Sequence, residues 1–303
     1  MSASGVAAVI NPNGPEGQQI HLFYNTNTKN LGFQFFDETK HTDETEAFAA
    51  GADGQTGFII NPAQVASTNL TGVELVVGFT NKLPAAAAND CKCDDPTQND
   101  ISIISPVYQP LAATDLTNLT IAATSSDTTA YVYYLTGTDY KSTTINELTV
   151  GDDSPGQFDD TVKILAQSSL AAFFVPEDEK RYIIYQANSS KRLHAYCPIA
   201  GSIDDKEIDD SGDARANTPL AAAYVNGKAY VYYVDGTQSI RAVVRDDTAT
   251  TPTWSPSRAV QAPSQVDDAS QITVVPSLKG NHIFYVGVGQ GKQFKFHHAI
   301  DKI

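Results

Sequence analysis

Cationic side chains are scarce in this sequence: 20 Lys and Arg stand against 35 Asp and Glu, for a net charge of −15. Nucleic acid is excluded as a partner, because its phosphates need a Lys/Arg footprint, and an anionic membrane surface is disfavoured for the same reason. No apolar run approaches the ~20 residues of a membrane-spanning helix, so no membrane span is expected. The opening stretch MSASGVAAVINPNG has neither a basic n-region nor an apolar h-region, which fits either no signal peptide or a mature form with an added Met1. GxSxG, HExxH, a phosphate-binding Gly loop and a dinucleotide fingerprint are all missing, which leaves hydrolytic and redox chemistry without support. The DDSGD and GADGQTG loops lack the spacing of a calcium loop. Three cysteines cannot all pair internally. Cys91 and Cys93 form a CxC near Asp94 and Asp95, without the second pair that zinc wants, and read as a surface loop with a local disulfide or free thiols. Cys197, beside Tyr196, reads as core. Neither a metal nor a cofactor is expected.

What the sequence has is a repeat. A short β pattern ending in paired aromatics recurs at Ile20–Tyr24, Ala130–Tyr134, Arg181–Tyr185, Ala229–Tyr233 and His282–Tyr285, with a worn copy at Val73–Phe79. Taking Leu22, Glu74, Val132, Ile183, Val231 and Ile283 as equivalent, the steps are 52, 58, 51, 48 and 52 residues. A period in that range belongs to solenoids and propellers. Each unit opens on a small apolar strand: Val6–Val9, Gly57–Ile60, Thr120–Ala123, Leu170–Phe174, Leu220–Tyr224 and Ile272–Val275. A turn follows, then the aromatic strand, then a third strand, and an acidic wing punctuated by Gly and Pro. Short strands between turn signals, without helical periodicity, indicate an all-β fold. Three to four antiparallel strands per unit, six times over, predict a single six-bladed β-propeller across 1–303. The expected blades are roughly 5–50, 56–112, 118–165, 169–215, 219–263 and 271–303. The last unit ends soon after its third strand, so its outermost strand is expected to be missing or supplied by the N-terminus.

These segments resemble the fungal fucose-specific lectin family of six-bladed propellers. That family's unit runs from a small apolar strand through an Arg-Val-Tyr-Tyr-Gln-like strand and an Ile-Arg-Glu-like strand to a Trp-containing wing; 221–260 is the best copy here and 171–197 the next. The resemblance implies a sugar held by the Arg that opens the second strand, the Glu of the third and an aromatic platform. At the Arg position this chain carries His21, Tyr131, Tyr182, Tyr230 and His282. At the Glu position it carries Gly32, Glu147, Ala195, Ala242 and Phe296. Only Glu147 keeps the acid, without its Arg, because Arg181 lies one residue out of phase and so points to the other face. Trp254 is the sole indole. No unit supplies the full sugar-binding set.

Two functions fit such a ring. One is a secreted carbohydrate-binding protein with altered or lost fucose sites. The other follows from a likeness to a lectin-like propeller lineage of fungal natural-product enzymes, the hetero-Diels–Alderases of tropolone–sesquiterpenoid biosynthesis. It implies a cofactor-free pericyclase that joins a terpene alkene to a quinone methide. Such a [4+2] cycloaddition needs no nucleophile, metal or proton relay; holding two apolar partners at near-attack distance is itself worth ~7–11 kcal/mol. The candidate catalytic residues are Tyr182, Tyr230, His194, His282 and Arg241, with Tyr131, Trp254 and Glu147 as substrate contacts. His297 and His298 read as edge residues, and the acidic runs 204–210 and 245–247 as solvated faces. An inert or adhesive propeller is the remaining alternative. The sequons at Asn69, Asn118 and Asn188 fit glycosylation and secretion. Expected partners are apolar small molecules, alternatively glycans, and a homodimer is compatible with the sequence.

Overall fold

The computed structural model describes residues 5–15, 17–26, 28–36, 47–50, 58–81, 99–152, 155–158, 161–199, 202–277, 279–289 and 296–303. They form six antiparallel sheets, each built from consecutive strands. Blade 1 holds β1 (Val6–Ile10), β2 (Ile20–Asn25), β3 (Leu31–Phe36) and β4 (Ala47–Ala50); blade 2 holds β5 (Val65–Leu70), β6 (Val73–Asn81), β7 (Asn99–Ser105) and β8 (Gln109–Thr114). Blade 3 holds β9 (Ile121–Ser125), β10 (Ala130–Thr136), β11 (Thr144–Thr149) and β12 (Gly156–Phe158); blade 4 holds β13 (Ala171–Val175), β14 (Lys180–Gln186), β15 (Leu193–Ile199) and β16 (Ser202–Glu207). Blade 5 holds β17 (Leu220–Val225), β18 (Lys228–Val234), β19 (Ile240–Asp246) and β20 (Arg258–Ala259). Blade 6 shows three strands among the described residues, β21 (Ile272–Ser277), β22 (Gly280–Val286) and β23 (Phe296–Asp301). The all-β, six-bladed propeller expected from the repeat is the fold.

Alanine and other small side chains let the inner strands converge on the axis. Ala7, Ala8, Ala66, Ala122, Ala171 and Ala221 line the narrow central channel. The ring closes where β1 meets β21. At that seam the Gln271 side-chain oxygen accepts from the Val6 and Val65 amides at 3.1 and 3.2 Å, and its Nε2 donates to the Val65 carbonyl at 2.8 Å. The Ala8 amide donates to Thr273 Oγ1 at 3.0 Å. The N-terminal strand is therefore the innermost strand of blade 1, and among the described residues it does not complete blade 6.

Two readings of the second unit need correction. Its inner strand is β5, not Gly57–Ile60, of which Ile59 makes only an isolated bridge to Thr80. The residue equivalent to Leu22 is Val76, not Glu74, because Ser67↔Val76 matches Ala8↔Leu22 in register. The register also moves the third-strand acid position. Phe23↔Phe33 and Phe284↔His298 are the counterparts of Tyr133↔Glu147, so Phe33 and His298 stand there, not Gly32 and Phe296. The Cys91–Cys93 motif lies outside the described residues.

Strand alternation sends successive side chains to opposite neighbours. On β14, Tyr182 and Ile184 pack against blade 5, while Ile183 and Tyr185 pack against blade 3. The core is thus a series of layers between blades. Tyr133, Tyr185, Tyr232, Tyr233 and Tyr285 are fully buried in those layers, and each contributes on the order of 2–3 kcal/mol from the area removed from water.

Candidate functional site

The alternation makes the six inter-blade grooves comparable station by station. The position that precedes Val76, Val132, Ile183 and Val231 faces the following blade in each unit. It holds His21, Leu75, Tyr131, Tyr182, Tyr230 and His282, six stations with three residue types.

Three grooves are stapled by polar side-chain pairs, two of them between arginine and a carboxylate. Between blades 1 and 2, His21 Nδ1 lies 2.7 Å from Glu74 Oε2. Between blades 3 and 4, Arg181 Nε and Nη2 donate to the two Glu147 oxygens at 2.6 and 2.9 Å, with the guanidinium 4.7 Å from the Tyr131 ring centroid. Glu147 therefore has a cation after all: the one-residue offset turns Arg181 toward the preceding blade, where Glu147 waits. The Tyr133 hydroxyl lies against that carboxylate, and burial together with Glu147 pushes its pKa well up, but its geometry falls short of a hydrogen bond. Between blades 5 and 6, Arg258 donates to both Asp301 oxygens at 2.7 and 2.6 Å, and the Tyr232 hydroxyl donates to Asp301 at 2.7 Å. The groove between blades 2 and 3 is filled by an apolar cluster that includes Leu75, Ala130 and Val132.

The groove between blades 4 and 5 is different. It opens into a cavity of about 480 Å³ that includes Tyr182, Ala195, Arg245, Asp247 and Trp254 in its walls. Tyr182 comes from β14 and Ala195 from β15, so this is the station where the lectin resemblance places its Arg and Glu. Trp254 belongs to the wing of blade 5 and bridges back to Arg245 at the end of β19. Arg245 reaches into the groove from the opposite wall. Its guanidinium carbon lies 4.2 Å from the Tyr182 ring centroid, 5.5 Å from Trp254 and 5.7 Å from Phe173. Phe173 stacks on Tyr182 at 5.1 Å and on Tyr224 at 6.1 Å, which stiffens the wall behind the guanidinium.

Asp247 fixes the arginine. Nε and Nη2 of Arg245 donate to its two oxygens at 2.6 and 2.8 Å. Asp247 is held in turn by the hairpin tip of blade 5, where its amide donates to the Gly227 carbonyl at 2.9 Å. That tip is the Asn226–Gly227 turn. Both residues have positive φ, 54° and 71°, the geometry a two-residue hairpin requires and the reason for its Asn-Gly sequence. Burial works against the Arg245 charge, but Asp247 and Tyr182 outweigh it and hold the pKa above its ordinary value. Burial also raises the Tyr182 pKa, so the phenol stays neutral. Two of the five guanidinium N–H groups are spent on Asp247, which leaves three for the Tyr182 hydroxyl and a ligand. Around them the cavity wall carries six carboxylates, Asp178, Asp204, Glu207, Asp209, Asp210 and Asp247, against three cations, Lys180, Lys206 and Arg245.

Of the eight residues singled out for chemistry, only Tyr182 and Trp254 line this cavity. Tyr131 and Glu147 belong to the stapled groove between blades 3 and 4. Tyr230 is buried in the layer between blades 5 and 6. His194 is buried, with Nδ1 3.0 Å from Asp205 and its ring against Tyr185. His282 is 1% exposed and bonded to Ser277 and His298 at 2.9 Å each. Arg241 is engaged by Ser257 and by Asp213 at 3.0 Å. The two residues that strand-by-strand reading missed are Arg245 and Asp247. The run 245–247 is not a solvated face, since the Arg245 and Asp247 side chains are only 11% and 14% exposed. The signal was their spacing: residues two apart at a strand end share a face, and only Asp246 between them turns to solvent. Asn118 also needs correction as a glycan acceptor, because it is buried and its Nδ2 donates to the Ala166 carbonyl at 2.7 Å. Among the described residues no group of three or more potential metal ligands converges.

No family model and no curated protein matches the sequence. Solved structures do match. An Aleuria aurantia lectin variant in complex with alpha-methyl-L-fucoside superposes with a TM-score of 0.66 at 12% identity, covering 99% of this chain and 96% of that one. AofleA from Arthrobotrys oligospora gives 0.59 at 13%, covering 100% and 88%. BP39L lectin from Burkholderia pseudomallei gives 0.62 at 13%, covering 95% and 93%. The likeness is one of fold.

Proposed function

We propose that this propeller uses a single groove, between blades 4 and 5, as a small-molecule site, and acts there as a cofactor-free cyclase of the hetero-Diels–Alder kind. The observation that supports this most is the loss of equivalence among the stations. Two grooves are stapled by arginine–carboxylate pairs and one by the His21–Glu74 contact, one is filled by apolar side chains, and the one between blades 6 and 1 is packed by Phe36, Phe284, His282 and His298, while the groove between blades 4 and 5 combines an open cavity with an aromatic wall and a fixed guanidinium. A multivalent lectin repeats its ligand residues from blade to blade; an enzyme needs one differentiated site.

The chemistry asked of the groove is modest. A heterodiene such as a quinone methide is planar and carries one carbonyl oxygen. Trp254 offers it a flat apolar surface, Tyr182 backs the guanidinium, and the remaining Arg245 N–H groups offer hydrogen bonds to the oxygen as negative charge builds on it during bond formation. Two new σ bonds form at the expense of π bonds, so no proton or electron leaves the pair. Orientation supplies the rest of the barrier reduction. The sequons at Asn69 and Asn188, both half-buried, suit a protein of the secretory pathway.

A second reading, a monovalent carbohydrate-binding protein, draws on the carboxylate-rich rim and the indole at the same groove. One experiment separates the two. The protein is incubated with an o-quinone methide precursor and a sesquiterpene alkene, and cycloadduct formation and enantiomeric excess are measured alongside a glycan array. The cyclase reading expects acceleration and one enantiomer, with a loss of about 10²-fold in Trp254→Ala. A racemic, unaccelerated product together with glycan binding would favour the second reading.

A further inference from the structure

We infer that Asp247 sets the charge of the ligand this groove accepts, making it a site for neutral carbonyl compounds and not for anions. The inference rests on the groove between blades 4 and 5 being the ligand site, and it adds the ligand class.

An arginine in an aromatic cavity ordinarily reads as an anion receptor. Here the guanidinium is already paired along one edge, through two charge-assisted bonds to Asp247 with both side chains largely out of water. Its positive charge is cancelled locally, yet its other edge still presents N–H groups. Those can donate to a carbonyl oxygen without attracting a full negative charge. The remaining wall reinforces the choice. Lys180 lies 2.9 Å from Asp178 and Lys206 3.5 Å from Asp204, solvent-open pairs that place a carboxylate beside each lysine of the wall. Glu207 is paired with Arg192 at 2.7 Å, but a carboxylate entering the cavity would still meet Asp209 and Asp210 and find each cation of the wall already beside a carboxylate. Asp247 acts through Arg245, so it is a positioning and specificity residue. The Asn226–Gly227 tip that holds its amide couples that role to the hairpin of blade 5.

The chain contains one tryptophan, Trp254, and it lines this cavity, so intrinsic indole fluorescence reports on this groove alone. The test is a quenching titration with two near-isosteric probes at pH 7, neutral 4-hydroxyacetophenone and anionic 4-hydroxybenzoate. Wild-type protein is expected to prefer the ketone by about tenfold or more. In Asp247→Asn the benzoate should gain about tenfold while the ketone moves less than about threefold, because freeing a guanidinium acts on charge and not on shape. In Arg245→Gln the uncompensated Asp247 should widen the preference for the ketone, which gives a readout if the first variant does not fold. A purely structural Asp247 would shift both probes together. Equal wild-type affinities, or a ketone-to-benzoate ratio unchanged in both variants, would overturn the inference. Absence of quenching by either probe in wild-type protein would count instead against the groove as the ligand site.

Discussion

Arg181 on the second strand of blade 4 closes a two-bonded ion pair on Glu147 on the third strand of blade 3, and in doing so staples the groove between the two blades. The pair is largely buried, with the carboxylate side chain 9% exposed and the arginine 25%. Removing one partner leaves the other charge uncompensated, whereas replacing both with apolar groups does not. Glu147→Gln and Arg181→Leu are each expected to destabilise by about 2–4 kcal/mol in urea unfolding. The Glu147→Leu/Arg181→Leu double variant is expected to recover most of that loss. Additive losses would show that the pair does not act as a unit.

Acid stability should carry the signature of Asp205. Its carboxylate accepts from the Tyr185 hydroxyl at 2.6 Å and the Val162 amide at 2.8 Å, and faces His194 at 3.0 Å. Burial pushes its pKa up, but the hydrogen bonds from His194, Tyr185 and Val162 together outweigh that and hold it below the ordinary 3.8. A depressed folded value means stability that is present above the unfolded value and lost as pH falls through the folded one. Wild type should be more stable than Asp205→Asn in urea unfolding at pH 6, and the gap should begin to narrow below about pH 4 and go on narrowing as pH falls through the folded value. A gap independent of pH would contradict the assignment.

Ring closure should depend on Gln271. Its side-chain amide bonds to backbone groups of both blade 1 and blade 2. Gln271→Ala strands two amides and a carbonyl near the axis, and each unmade bond costs about 1 kcal/mol or more. A loss of about 2–4 kcal/mol in equilibrium unfolding is expected, against less than about 0.5 kcal/mol for an exposed control such as Gln157→Ala.

Glycan occupancy and thiol chemistry offer two local checks. After expression in a secretory host, peptide mass spectrometry should find sugar on Asn188 and none on Asn118. The Cys197 thiol, 1% exposed and with its pKa pushed up to about 11 by burial, should resist iodoacetamide at pH 8 until the protein unfolds.

The paired aromatics at Tyr133–Tyr134 and Tyr232–Tyr233 announced the blades, because period-two burial is local and is written along each strand. The second unit blurred because a register shift after Val76 and the insertion between β6 and β7 disturb that pattern. The candidate site was half legible. Tyr182 and Trp254 stood at positions that the resemblance marked, but Arg245 and Asp247 enter from the opposite wall. What faces a residue across a groove is decided by how blades stack and not by the strand that carries it. Arg181 and Glu147, 34 residues apart, show the same limit: phase along β14 correctly predicted the face of Arg181, but the partner on that face belonged to another blade.

The central claim is that one station, not six, is available to a small molecule. Calorimetric titration with methyl α-L-fucoside, run beside Trp254 quenching by 4-hydroxyacetophenone, tests it directly. The account predicts no measurable heat from the fucoside and a saturable ketone site of unit stoichiometry that Tyr182→Ala abolishes. Fucoside binding with several equivalent sites per chain would contradict it.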